Sequence, residues 1–314
     1  MQNVYTNLTL FSIIILGWVL KRSGRITDSG LKELTSLLFM PLMPVSFFTS
    51  GLGFNPALMD SSRFVVVLLS GYVIATVIAC VLAWGRKGMT KERRAVSILA
   101  SVRPNSIFIG LPLMTVWLGR AGIENMLMCL ACTLPYFNVV PLTISFIALN
   151  GKFDRKATLD ALRKTFTNPI FLGSAAGLLM GGMGWSHIIP EWVMRALKLL
   201  TGAGTGLSLI VIGASIVPET LINDVKCAWP DMMMKLFIHP AVIFIAFLLF
   251  PVENVVSMKV AVIAAAIAPA FNCFVLAKGF DMDGDYAASL VTSSTLLCMA
   301  TLLFWMFMTA HFFG

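Results

Sequence analysis

Ten apolar stretches divide this chain, each near the length of about 20 helical residues that crosses a lipid bilayer. They are residues 4–20, 34–53, 63–84, 95–118, 124–149, 168–185, 196–217, 231–250, 256–277 and 286–311. The composition agrees, because 58% of the 314 residues are hydrophobic, 12% are charged and the mean hydropathy is +0.88. Lipid offers the backbone no hydrogen-bond partners, so such segments must be helical. The sequence therefore predicts an all-α integral membrane protein with ten transmembrane helices.

Lysine and arginine are spread unevenly over the connections between these stretches. The first, third and fifth connections carry fourteen of them, whereas the second, fourth, sixth and eighth carry five. Because basic loops stay in the cytoplasm, we expect both termini to lie outside. The net charge of +8 is thus placed in short loops, where it sets topology and does not indicate a nucleic-acid partner. The first stretch lacks a basic n-region and a cleavage site, so we expect it to remain as a span.

The fourth stretch, residues 95–118, carries polar groups in its middle. They are Arg103, Asn105 and Ser106, and they surround Pro104. A proline removes one backbone donor and so releases a carbonyl from its helical partner. Released carbonyls and polar side chains are tolerated at membrane depth only where protein or a watery cavity surrounds them. We therefore expect a broken helix that lines a binding site.

The ninth stretch repeats this pattern, with Pro269 and Asn272 near its middle. The longest connection separates five stretches from five, and two homologous units with an odd number of spans enter the membrane from opposite sides. The sequence therefore predicts a 5+5 inverted repeat, with the two proline-broken helices, spans 4 and 9, crossing near the bilayer centre. The expected divisions are a first repeat at 1–150, a cytoplasmic linker at 151–167 and a second repeat at 168–314.

Arg103 lies deep in its span. It follows the loop residue Arg94 by nine positions, which corresponds to a depth of about 13 Å. An unpaired guanidinium there costs from about 2.5 kcal/mol upward, and no acidic residue lies at the centre of any stretch. Two interpretations stay open: Arg103 coordinates an anionic substrate, or carbonyls and water satisfy it. Asn138, between Pro135 and Pro141 in the fifth stretch, is a further candidate for the cavity.

Other residues argue against several classes of protein. The absence of a central carboxylate disfavours a cation/proton antiporter. Lys235 and His239, at i and i+4 in the eighth stretch, form a cationic or titrating pair, unless Lys235 snorkels to the cytoplasmic surface. The C-x-x-C at Cys129 and Cys132 lies in an apolar run, where thiols act as small hydrophobes. The sequence contains no P-loop, zinc-ligand spacing or nucleophile elbow, so we expect no enzyme, metal or cofactor.

Several segments resemble the auxin efflux carrier family. RPNSIFIGLPLM at 103–114 is similar to its fourth-span signature, in which a Pro-Asn pair precedes Gly-x-Pro, and the ninth and tenth spans are similar over 268–296. GLSLIVIGASI and KLFIHP resemble its seventh and eighth spans. The resemblance implies a scaffold of spans 1, 2, 6 and 7, often dimeric, and a moving transport domain of spans 3–5 and 8–10. It also implies that Asn105 and Asn272 lie beside the substrate at the crossing prolines.

The short central loop resembles that of bacterial members, several of which are described as carriers of malonate or malate. We therefore expect a secondary carrier of small mono- or dicarboxylate anions in the bacterial inner membrane, acting as a homodimer by elevator-like alternating access. The expected substrate-binding residues are Arg103, Pro104, Asn105, Ser106, Asn138, Pro269 and Asn272. Two alternatives stay open: a sodium-coupled organic anion symporter of the bile-acid type, and a membrane sensor that binds a ligand without transporting it.

Overall fold

A computed structural model describes residues 2–53, 62–151, 169–216 and 218–314, with four isolated positions between 151 and 169. Nearly all of the described residues are helical and no β-sheet forms among them, which confirms the all-α prediction. The helices are α1 Gln2–Arg22, α2 Asp28–Leu37, α3 Met43–Leu52, α4 Ser62–Gly85, α5 Lys91–Val102, α6 Leu111–Asn150, α7 Pro169–Gly182, α8 Glu191–Ala214, α9 Pro218–Met233, α10 His239–Leu249, α11 Val255–Ala266, α12 Asn272–Gly279 and α13 Gly284–Phe312.

Three π-helical turns occur among the described residues, and each leads directly into the helix that follows it. They are Leu38–Leu42 between α2 and α3, Ser106–Gly110 before α6, and Met234–Ile238 between α9 and α10. Such turns interrupt the regular backbone ladder and occur frequently at functional sites. The predicted linker at 151–167 lies mostly outside the described residues.

Six helical runs in the described part are long and apolar enough to cross a membrane. They are Asp28–Thr49, Ser62–Gly85, Leu111–Asn150, Glu191–Ala214, Ala228–Leu249 and Gly284–Phe312. The fourth and ninth predicted stretches yield shorter helices, because each is interrupted in its middle. The fourth and fifth stretches run together in α6, whose backbone turns at Gly119 (φ 58°, ψ −137°), a conformation that favours glycine. The chain is thus a multi-pass membrane protein, and the count of ten spans stays a prediction.

The chain forms two compact units, and each draws on both halves of the sequence. Unit 1 contains Met1–Met59, Ile107–Ala131 and Arg163–Ile216. Unit 2 contains Asp60–Ser106, Cys132–Leu162 and Val217–Gly314.

Unit 1 is packed through glycines that bring helix backbones close together. A Cβ atom added at Gly17 or Gly213 would collide with the backbone of the facing helix in the α1–α8 pair. In the α3–α7 pair, a Cβ at Gly51 would lie 2.6 Å from the carbonyl carbon of Gly177. Because lipid tails are as apolar as leucine, close backbone approach of this kind is a main source of attraction between membrane helices.

Substitution of Gly213 tests this packing. Gly213→Ala inserts a methyl group against the α1 backbone and should destabilise the protein by about 1–3 kcal/mol, as overpacking does. Gly202 lies on the same helix, and a Cβ there meets nothing within 4 Å. Gly202→Ala should therefore be neutral or stabilising by up to about 1 kcal/mol, because alanine favours helix over glycine. Thermal melting of both variants in detergent measures the difference, and equal melting temperatures would contradict the account.

Unit 2 is built around α5 and α11. Residues 95–102 of α5 and 260–266 of α11 are all buried. A helix that is apolar on every face is stable only when other helices surround it. Helices α4, α9 and α13 pack against α5, and helices α10 and α13 pack against α11. Both helices that precede the predicted breaks therefore end inside unit 2.

A buried carboxylate, Asp231, connects several helices of unit 2. It pairs with Arg86, and it accepts hydrogen bonds from the Ser97 hydroxyl at 2.7 Å and the Tyr286 hydroxyl at 2.5 Å. Burial opposes the charge of Arg86, but the hydrogen bond and charge of Asp231 outweigh it, so the pKa of Arg86 lies above its ordinary value. Because the sequence places Asp231 at the edge of a stretch, its burial at 1% exposure was not predicted.

Removing this charge should loosen unit 2. Asp231→Asn leaves Arg86 without its counter-ion, and we expect a loss of about 3 kcal/mol of stability, near the low end for buried pairs because Arg86 is partly exposed. Asp285→Asn makes the same chemical change at an exposed position of α13 and should stay within about 0.5 kcal/mol of the unaltered protein. Chemical unfolding in detergent measures both. A similar, small loss in the two variants would show that the Asp231 contacts contribute little.

Candidate functional site

Two extended segments of unit 2 lie side by side where α5 and α11 end. Pro104 and Pro269 form an antiparallel bridge between them. Two backbone hydrogen bonds of 2.9 Å flank the prolines, from the Asn105 N–H to the Ala268 carbonyl and from the Ala270 N–H to the Arg103 carbonyl. We call residues 103–106 and 267–272 the crossing. Each predicted helix break is therefore present, and the two breaks supply backbone partners to each other.

Prolines near the crossing release carbonyls, and buried side chains donate to them. In an α-helix a carbonyl accepts from the N–H four residues later, and proline has no N–H to give. Three described carbonyls of unit 2 precede a proline by four residues and accept from a side chain. The pairs are Arg103 Nη1 on Phe137 at 3.2 Å, Trp305 Nε1 on Leu236 at 2.9 Å and Lys235 Nζ on Ala265 at 2.7 Å, and the prolines are Pro141, Pro240 and Pro269.

The structure brings most of the predicted site residues together. Arg103, Asn105 and Ser106 are buried beside Pro104, and Asn272 begins α12 shortly after Pro269, half-buried. The side chains of both asparagines and of Ser106 make no hydrogen bond to any residue that the structure describes. Polar side chains at this depth need partners. They are therefore suited to hold a polar ligand.

Asn138 lies in α6 directly after Phe137, the residue that accepts from Arg103. Its side chain is outside the described part of the structure, so its place in the site stays a prediction.

Helix ends give the crossing a positive character. α12 begins at Asn272, and the turn Ser106–Gly110 begins next to Asn105. The N-terminal ends of helices carry partial positive charge and favour anions. The C-terminal ends of α5 and α11, which carry partial negative charge, also adjoin the crossing, and Lys235 donates to the Ala265 carbonyl of α11. The two N-terminal ends and Arg103 are therefore the groups suited to a carboxylate ligand.

Lys235 corrects one of the sequence interpretations. Snorkelling would put its amino group at the surface, but the side chain is 0% exposed. The physical reason is that the helical run begins at Pro218, well before the predicted start of the span, so that Lys235 lies deep in the run. Both Lys235 and Arg103 lie within electrostatic range of Cys273, the residue after Asn272. Two buried basic side chains thus accompany the crossing, and a buried Lys235 is one of the two alternatives that the sequence left open.

No group of three His, Cys, Asp or Glu side chains suited to a metal ion occurs among the described residues. Cys129 and Cys132, the two cysteines of the C-x-x-C motif, are free thiols within α6.

Comparison with a family model assigns nearly the whole chain to one family. The model described as membrane transport protein matches residues 4–157 and 153–306.

Individual relatives are distant but extend over almost the full chain. An uncharacterized transporter of Methanocaldococcus jannaschii is 21% identical over 95% of this chain and 96% of its own length. Auxin efflux carrier component 8 of Arabidopsis thaliana is 19% identical over 89% of each chain. A protein of Rhizobium meliloti whose name proposes malonate transport is 22% identical over 94% of this chain and 92% of its own.

Proposed function

The chain belongs to the membrane transport protein family, the family of the auxin efflux carriers, and we propose that it is a secondary carrier of small organic anions. The observation that carries the proposal is the antiparallel bridge between Pro104 and Pro269, which joins two helix breaks inside unit 2. Broken helices that meet in this way form the substrate sites of many secondary transporters. Malonate is a reasonable first substrate to test, because a relative's name proposes it.

In this proposal the carboxylate of the substrate accepts hydrogen bonds from the carboxamides of Asn105 and Asn272. Neither side chain has a hydrogen-bond partner among the described residues, and both lie next to helix N-terminal ends. Ser106 would contribute a further donor, and Asn138 is proposed as a further contact to the substrate. Arg103 adds positive charge while its Nη1 donates to the Phe137 carbonyl.

Transport by this route requires the crossing to face each side of the membrane in turn. We propose ten spans in a 5+5 inverted repeat, with spans 3–5 and 8–10 moving as an elevator against a homodimeric scaffold of spans 1, 2, 6 and 7. The glycine packing of the α1–α8 and α3–α7 pairs supports the scaffold part of this arrangement. Unit 1 also contains Ile107–Ala131, which comes from spans 4 and 5, so the boundary of the moving part is our proposal alone. The uneven distribution of basic residues supports an orientation with both termini outside, and the short central loop supports a location in the bacterial inner membrane.

Uptake of labelled malonate into proteoliposomes tests the two asparagines. Asn105→Ala and Asn272→Ala each remove a donor to the substrate, and each should lower malonate uptake by about tenfold, the effect of one lost hydrogen bond to a charged group. Asn150→Ala alters an exposed asparagine at the end of α6 and should leave uptake unchanged. Normal uptake in both crossing variants would rule out this assignment of the site.

Replacement of Arg103 separates its two interpretations. If the guanidinium helps to hold the anion, Arg103→Gln should weaken malonate binding by about tenfold or more, because hydrogen bonds to charged groups contribute about 1.5–3 kcal/mol. Arg120→Gln removes the same charge at an exposed ion pair with Glu124 and serves as the control. Calorimetric titration of the purified protein gives the affinity. An unchanged malonate affinity would leave Arg103 as a structural donor to the Phe137 carbonyl.

A further inference from the structure

Lys235 is hydrogen-bonded to the backbone of α11, the helix that leads into the crossing. Its Nζ donates to the Ala265 carbonyl at 2.7 Å and lies 3.2 Å from Nδ1 of His239. The carbonyl is open to this contact because Pro269, four residues later, has no N–H to offer it. The amino group thus occupies a backbone site that exists only because the helix is broken.

No carboxylate among the described residues pairs with Lys235. Asp231 is one helical turn earlier, but its oxygens accept from Arg86, Ser97 and Tyr286. The remaining neighbour along the helix, His239, uses its Nδ1 toward Lys235, and its Nε2 is buried with no hydrogen-bond partner in the described structure. Lys235 therefore has no carboxylate partner in this part of the chain.

The groups around this pair come from several elements of unit 2. The ring of Tyr72 in α4 packs edge-on against His239, with ring centroids 4.7 Å apart. Cys273 in α12 and Cys298 in α13 lie within electrostatic range of Lys235. None of these neighbours is a carboxylate.

We propose that Lys235 is the built-in positive charge that balances the substrate anion at the crossing. This inference rests on the proposed carrier function. Carriers with crossed, broken helices can hold a coupling cation on released carbonyls, and here the tethered ammonium group already holds such a carbonyl. Anion binding at the crossing therefore needs no sodium ion, and the site favours dianions over monoanions. Lys235 acts through the backbone and the electric field, as a positioning residue.

A charge and a purely structural contact have different signatures. The energy of a charge is proportional to the charge of the ligand. Removing one positive charge should therefore lower the affinity for a monoanion by some factor. It should lower the affinity for a dianion by about the square of that factor. A loss of about 6-fold for the monoanion, for example, corresponds to a loss of about 40-fold for the dianion. If Lys235 had a purely structural role, its removal would lower the affinity for both ligands by the same factor.

The test is calorimetric titration of the purified full chain in detergent with malonate and with its monomethyl ester. Lys235→Gln should lose affinity for both ligands, with a factor for malonate that is about the square of the factor for the ester, and Lys235→Arg should restore the ratio. Lys226→Gln removes an exposed lysine from α9 and should bind both ligands as the unaltered protein does. The unaltered protein should bind malonate equally in sodium chloride and in N-methylglucamine chloride.

Equal losses for the two ligands, no loss, or a sodium requirement in the unaltered protein would each overturn the inference and leave the carrier function standing. Binding of neither ligand by the unaltered protein would instead contradict the proposed function for these substrates, and the inference with it. If Lys235→Gln does not fold, Lys235→Met replaces it, because an apolar side chain of similar size avoids a buried unpaired polar group. The affinity losses of Lys235→Met for malonate and for the ester then test the inference in the same way.

Discussion

Backbone groups released by proline are the constraint on which unit 2 depends. In hydrocarbon an unpaired carbonyl or N–H costs several kcal/mol, since no water is present to satisfy it. The chain meets this need in two ways. At Pro104 and Pro269 the two broken segments pair their backbones with each other, and elsewhere Arg103, Lys235 and Trp305 donate to carbonyls that prolines release.

The same constraint links structure to the proposed function. Side chains that satisfy the backbone at this depth are themselves polar, and two of the three are basic. They place positive charge near a crossing where the carboxamides of Asn105 and Asn272 have no partner among the described residues. A small organic anion supplies what these groups lack, namely negative charge and hydrogen-bond acceptors. Unit 1 has a different character, because glycines there bring helix backbones into direct contact.

The breaks and the all-α fold were predictable from the sequence because they follow from local chemistry. Hydrophobic length marks a span, and Pro104 and Pro269 interrupt helices wherever they stand. The partners of the released groups were not predictable. Trp305 reaches a carbonyl 69 residues away, and the burial of Lys235 depends on a helix that begins at Pro218. One signal was available in the sequence. A proline four residues after Ala265 and after Leu236 indicates that each of these carbonyls needs a donor from elsewhere, but it does not identify the donor residue.

The central claim is that the crossing of unit 2 binds the transported anion. The most direct measurement is a cryo-electron microscopy map of the protein in lipid nanodiscs with saturating malonate. The account predicts ligand density within hydrogen-bond distance of the Asn105 and Asn272 carboxamides, beside the bridge between Pro104 and Pro269. Malonate density elsewhere in the protein, or an empty crossing under conditions in which the same preparation transports malonate, would contradict it.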